Sequence, residues 1–158
     1  MFSRLLKTAI FSVVAPGTIG LLLPAYLRKS AEIRIIFPLV QQFLGAAFLA
    51  AGVAIYLWCA WDFVSKGMGT PAPIDAPRLL VVKGLYRFTR NPMYVGVSFM
   101  ILGQAVYFGA TALLIYLGAV LAGFHMFVLL YEEPTLRRLF GTQYEEYCRQ
   151  VPRWVIRG

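Results

Sequence analysis

Three stretches of the chain contain no Asp, Glu, Lys or Arg: residues 8 to 27, 39 to 61 and 91 to 131. A spanning helix needs about 20 mostly apolar residues, so the first two runs each suit one crossing and the third is long enough for two. With 158 residues, 14% of them charged, and a mean hydropathy of +0.69, the chain has too little interior to hide this much apolar surface from water. The bilayer is the solvent that fits. The expected fold is all-α: an integral membrane bundle of about four transmembrane helices, with the third run turning back near Tyr107-Phe108-Gly109-Ala110-Thr111, where glycine follows two interfacial aromatics.

The same pattern organises the whole chain as a single domain, residues 1–158. Two amino-terminal spans occupy 1–64, a loop 65–91, a helical hairpin 92–133 and carboxyl-terminal helices 134–158. Arg4 and Lys7 ahead of the first run imitate a secretory signal, but the run is long and carries Pro16, Gly17, Gly20 and Pro24, which suits a kinked, closely packed span. Four crossings collect the amino terminus, the loop and the carboxyl tail on one side. That side holds twelve of the fifteen basic residues; Arg28, Lys29 and Arg34 are the others. The positive-inside rule makes the crowded side cytoplasmic, giving a multi-pass protein with both termini in the cytoplasm. The net charge of +8 then reflects topology and attraction to anionic headgroups, and no nucleic-acid motif accompanies it. The topology separates Cys59 from Cys148, so no disulfide is expected, and one histidine with two cysteines so spaced predicts no metal site.

Two boundaries draw attention. Residues 65 to 84, rich in proline and glycine, are long for a connection and end in the apolar run Leu79–Val82, which needs something to pack on. Asn91-Pro92 reads as a helix cap followed by proline at the first helical position. Farther on, His125, Glu132 and Glu133 fall at offsets of seven and eight, on one face of a regular helix, and Pro134 predicts a break or kink at Glu133. Thr142 and Glu145 have capping-box spacing before an amphipathic tail helix that could lie on the membrane or close over a site.

Adjacent acids at a membrane boundary must face water, basic partners or a cation. Glu132 and Glu133 could pair with Arg90, Arg137 or Arg138, or meet a bound cation among Tyr86, Tyr94, Tyr131, Tyr144, Tyr147 and Trp154. His125 is either a buried helix–helix hydrogen-bonding residue or a base. Asp62 and Lys66 form an i, i+4 pair without assigned chemistry.

Residues 79–96, LLVVKGLYRFTRNPMYVG, and the later EEPTLRRLFGTQYEEYCRQVPRW resemble the isoprenylcysteine carboxyl methyltransferase and phospholipid methyltransferase superfamily of integral membrane enzymes. Its pattern is approximately LVxxGxYxxxRHPxYxG, then EExxLxxxFGxxYxxYxxxVPR after a helical hairpin. The resemblance covers about the last 80 residues. It implies methyl transfer from S-adenosylmethionine, bound on the cytosolic side, to a lipophilic acceptor: a prenylcysteine-like carboxylate, a lipid amine or a thiol. By position it implies a cofactor site of Leu80, Val82, Gly84, Tyr86, Arg90, Asn91, Pro92, Tyr94, Gly96, Glu132 and Glu133, with Glu133 or His125 as candidates to accept a proton. Asn91 stands where many members have histidine. Val128, Leu129 and Leu130 lie where prenylcysteine enzymes tend to have an arginine. The loop 67–83 and the tail 142–157 are expected to act as a lid. The alternatives are a non-enzymatic membrane scaffold, in which the glutamates only hold ion pairs, and a nicotinamide-dependent membrane reductase, which no Gly-rich fingerprint supports.

Overall fold

The computed structural model describes residues 10, 13–30, 37–65 and 79–154, all helix, turn and loop with no strand among them. Helix α1 is π-helical over Val13–Leu22, α-helical over Leu23–Leu27 and ends in a 3-10 turn at Arg28–Ser30. Helix α2 is Pro38–Ser65, a 3-10 turn follows at Gly84–Arg87, and α3 is Pro92–Phe108. Helix α4, Thr111–Phe127, continues through a π turn, Val128–Glu132, into α5, Glu133–Phe140; α6 is Thr142–Gln150. Two helices are long and apolar enough to cross a membrane, Pro38–Asp62 and Thr111–Phe140. The apolar helices Val14–Leu27 and Pro92–Phe108 are shorter. Of the expected cofactor loop, residues 66–78, including Lys66, lie outside the described residues.

The antiparallel pair α2–α3 forms the centre. Gly45 and Gly52 on α2 meet Gly103 and Gly96 on α3, two pairs seven residues apart, so both contacts recur on one face. A Cβ on Gly52 would lie 2.6 Å from the Gly96 carbonyl oxygen, which means that backbone rests directly on backbone. Tyr56, Ala60, Val97, Met100 and Ile101 fill the adjoining core. The hairpin turn falls where the sequence suggests: Gly109, at φ +63°, caps α3 and α4 begins two residues later.

Helix α1 leans on this pair through Gly20, against Val97 and Met100. Pro24 has no N–H, so it leaves unpaired the carbonyl it would otherwise serve: Gly20 in an α register, Ile19 in a π register. Both are satisfied from outside. Gln104 Nε2 donates to Gly20 O at 2.7 Å and the Tyr116 hydroxyl to Ile19 O at 3.0 Å. An unpaired carbonyl in an apolar interior costs about 1–3 kcal/mol, and Gln104→Leu is expected to lose roughly that in detergent unfolding. Pro24→Ala in the same chain should restore most of it by returning a backbone donor; no rescue would mean that Gln104 serves packing alone.

At Pro134 the helix does not break, since Glu133 keeps helical φ and ψ of −62° and −45°; the irregularity there is a π turn over Val128–Glu132, which absorbs the missing N–H. One local expectation needs correction. Thr142 forms no side-chain cap; Gly141, at φ +51°, occupies the cap position, and Glu145 instead accepts from Arg137 Nε at 2.9 Å.

Candidate active site

At the end of the bundle where α3 begins and α4 ends, a cavity of about 480 Å³ opens among α1, α3, α4 and the 3-10 turn. That size lies within the range of small-molecule sites, about 300–1,000 Å³. Tyr86, Arg90, Asn91, Tyr94 and Glu132 supply its polar end. Ile19, Val97, Tyr116, Val120 and Phe124 supply most of the apolar remainder. The first group was expected at the cofactor site from the sequence; the second, with Tyr56, was not.

The turn carries Tyr86 inward because the chain reverses at Gly84, φ +63°, which nestles against the Asp62 carboxylate where any side chain would collide. Tyr86 is held from behind: its carbonyl accepts from the Tyr147 hydroxyl at 2.7 Å. Burial pushes the phenols of Tyr86, Tyr144 and Tyr147 up, so they remain neutral hydrogen-bond donors.

The two glutamates part company. Glu132 accepts from the Tyr94 hydroxyl at 2.9 Å, its one hydrogen bond among the described residues, and has no basic partner there. It lines the cavity. Glu133, only 3% exposed, turns the other way into a cluster of guanidinium groups. Arg153 Nε and Nη2 donate to its two oxygens at 2.6 and 3.0 Å, and Arg90 Nη1 lies 3.1 Å from the first. The hydrogen bond to Glu133 raises the Arg153 pKa further. Arg137, one of the expected partners, pairs with Glu145 instead. Arg90 also donates from Nη1 to Cys148 Sγ at 2.7 Å, while its buried Nε–H has no partner among the described residues.

His125 does not join them. It is exposed, and its Nδ1 accepts from Trp154 Nε1 at 3.1 Å. The π turn is the reason: widening the helix by one residue turns everything after it by about 100°, so positions that align in a uniform helix diverge. Phe124 takes the inward position instead, with its ring 4.5 Å from that of Tyr94.

Leu80, Val82, Pro92 and Gly96, also expected, support rather than line the cavity. Leu80 packs with Tyr144, Tyr147 and Val151, and Val82 borders a separate surface pocket beside Arg87 and Gln150. Pro92 opens α3, and Gly96 belongs to the α2–α3 crossing. Asn91 stands at the cap position without capping; its Nδ2 donates to Arg153 O at 3.2 Å. The tail is tied across this end by further bonds, from Thr89 Oγ1 to Arg153 O at 2.9 Å and from Arg90 N to Pro152 O at 3.0 Å. Arg153 was absent from the expected site, although the terminal VPR of the second motif contains it.

Protein-S-isoprenylcysteine O-methyltransferase of Schizosaccharomyces pombe is 35% identical over 74 residues, which is 47% of this chain. The match covers 31% of that protein, so this chain aligns with under a third of its length. No solved structure matches. The phospholipid methyltransferase family model matches residues 40–143, a range that includes the first motif, the hairpin and both glutamates, and the chain belongs to that family.

Proposed function

We propose that this protein is an integral membrane methyltransferase that moves a methyl group from S-adenosylmethionine to a lipophilic acceptor entering from the bilayer. On this reading α1 and α3 also cross, making four spans, and the basic loop and tail face the cytoplasm. The observation that carries the proposal is Glu132, a carboxylate without a basic partner among the described residues, at a cavity walled by Tyr86, Tyr94 and Phe124. Aromatic faces with a carboxylate suit a cation.

The residues fit the donor molecule. Arg90, whose Nε–H has no partner among the described residues, and the amino end of α3, where the N–H groups of Met93 and Tyr94 have no acceptor within the helix, suit an amino acid carboxylate. S-adenosylmethionine supplies a methyl group on a sulfonium; an acceptor atom takes it in line as the carbon–sulfur bond breaks and its electron pair returns to sulfur. The chain's part is to align the reactants and exclude water, for which no covalent protein nucleophile is needed. Where the acceptor must lose a proton, Glu132 is the carboxylate within reach of the cavity. Glu133, bridging Arg90 and Arg153, positions the site, and His125 meets it only by way of Trp154, whose ring lies 6.3 Å from that of Tyr94. A scaffold would account for the Glu133 cluster, but not for a glutamate that faces a cavity with no basic partner among the described residues.

The test is calorimetric titration of the purified protein in detergent with S-adenosylmethionine and S-adenosylhomocysteine, with NADPH as control. Saturable binding of the first two is expected. A folded protein that binds neither overturns the proposal.

A further inference from the structure

Helix α4 has two glycines in its membrane-facing stretch, and on both an added Cβ would meet nothing within 4 Å. A glycine inside a helix costs about 1 kcal/mol relative to alanine, and neither of these two permits a close helix contact among the described residues. Their surroundings differ. Both are exposed, but Gly118 lies away from the cavity whereas Gly123 lines it. Helix α1 contributes Ala15, Pro16 and Ile19 to the lining of the same cavity. Helices α1 and α4 touch through Leu23–Leu27 and through the bond from Tyr116 to Ile19. Both helices line the cavity, and Gly123 borders both it and the outside of the bundle, with no side chain of its own and none of the described residues within 4 Å of where a Cβ would stand.

We propose that Gly123 is the specificity-determining residue at a lateral opening between α1 and α4, and that its missing side chain admits the acyl or similar chain of a bilayer lipid into the cavity. This rests on the methyltransferase reading for its purpose, though not for its test. An entering chain would run past Gly123 and lie along Val120 and Val97, leaving its polar head toward Tyr94 and Glu132. A chain with a bulky branch at that depth would be excluded by the flanking Phe127 and Pro16.

The experiment uses the full chain in nanodiscs containing phosphatidylethanolamine with a diazirine on its acyl chain. Crosslinking is mapped by mass spectrometry to Val97 and Tyr56, which line the cavity and are 3% and 5% exposed, so a lipid reaches them only by entering. Labelling of these residues is expected in the native chain and in Gly118→Leu. In Gly123→Leu it should fall by roughly tenfold or more, with Gly123→Ala between. Cooperative thermal unfolding, measured on the same samples, shows that each variant is folded, and S-adenosylhomocysteine binding, measured beside it, reports on the methyltransferase reading alone. Absence of labelling in the native chain, or equal labelling in Gly123→Leu, overturns the inference. If labelling follows the expected order while neither S-adenosylmethionine nor its product binds, the opening stands and the methyltransferase reading fails.

Discussion

Glu132→Gln is expected to weaken S-adenosylmethionine binding by roughly tenfold to a hundredfold, the equivalent of losing one charge-assisted contact of about 1.5–3 kcal/mol. S-adenosylhomocysteine should lose much less, because it lacks the sulfonium charge. The ratio of the two affinities is therefore the informative quantity. Glutamine keeps the size of the side chain and can still accept from the Tyr94 hydroxyl, so the Tyr94–Glu132 hydrogen bond, 2.9 Å in the native protein, has a neutral substitute. Folding should change little, since Glu132 has no basic partner among the described residues to strand. Titration calorimetry with both ligands decides the matter. An equal loss for the charged and uncharged ligand would mean that Glu132 does not face the sulfonium.

The neighbouring substitution should behave in the opposite way. Glu133→Gln leaves Arg90 and Arg153, whose side chains are 12% and 29% exposed, without their shared counterion. Breaking a buried pair by removing one partner typically costs about 3–5 kcal/mol, because the remaining charge stays out of water. Stability in detergent should fall by that order, with the tail released: hydrogen exchange at Arg90, whose N–H is bonded to Pro152 O, should accelerate with it. Ligand affinity would decline for both ligands alike, through loss of the site's frame. The exposed pair Arg137–Glu145 supplies the contrast, since both partners are about half exposed and such pairs contribute roughly 0–1 kcal/mol. If Glu133→Gln proves no more harmful than Glu145→Gln, the guanidinium cluster is not what fastens the tail.

Adjacent in sequence and alike in chemistry, the two glutamates were indistinguishable by spacing. Their separation depends on which side of the helix each side chain leaves, and that is altered by the π turn at Val128–Glu132. The same turn removes His125 from the glutamates' face. Regular-helix spacing had no means to register it, although Pro134 marked that something had to yield. Arg153 was legible only as the last letter of a motif, because its role depends on a tail returning from twenty residues beyond Glu133. The cap at Asn91 failed for a similar reason, because its Nδ2 donates to Arg153 O instead, whereas Thr142 lost the cap position to Gly141.

What the sequence determined by itself was the helical, apolar character of the chain, the hairpin turn at Gly109 and the family, because uncharged run length, turn glycines and motif order are local properties. What tertiary structure decided was the cavity and its membership. Tyr56, Ile19, Tyr116 and Gly123 are ordinary residues of apolar segments until helix packing brings them around one cavity. That packing is governed by where glycine lets backbones touch and where proline leaves a carbonyl needing a distant donor, and both are relations between helices that no single segment contains.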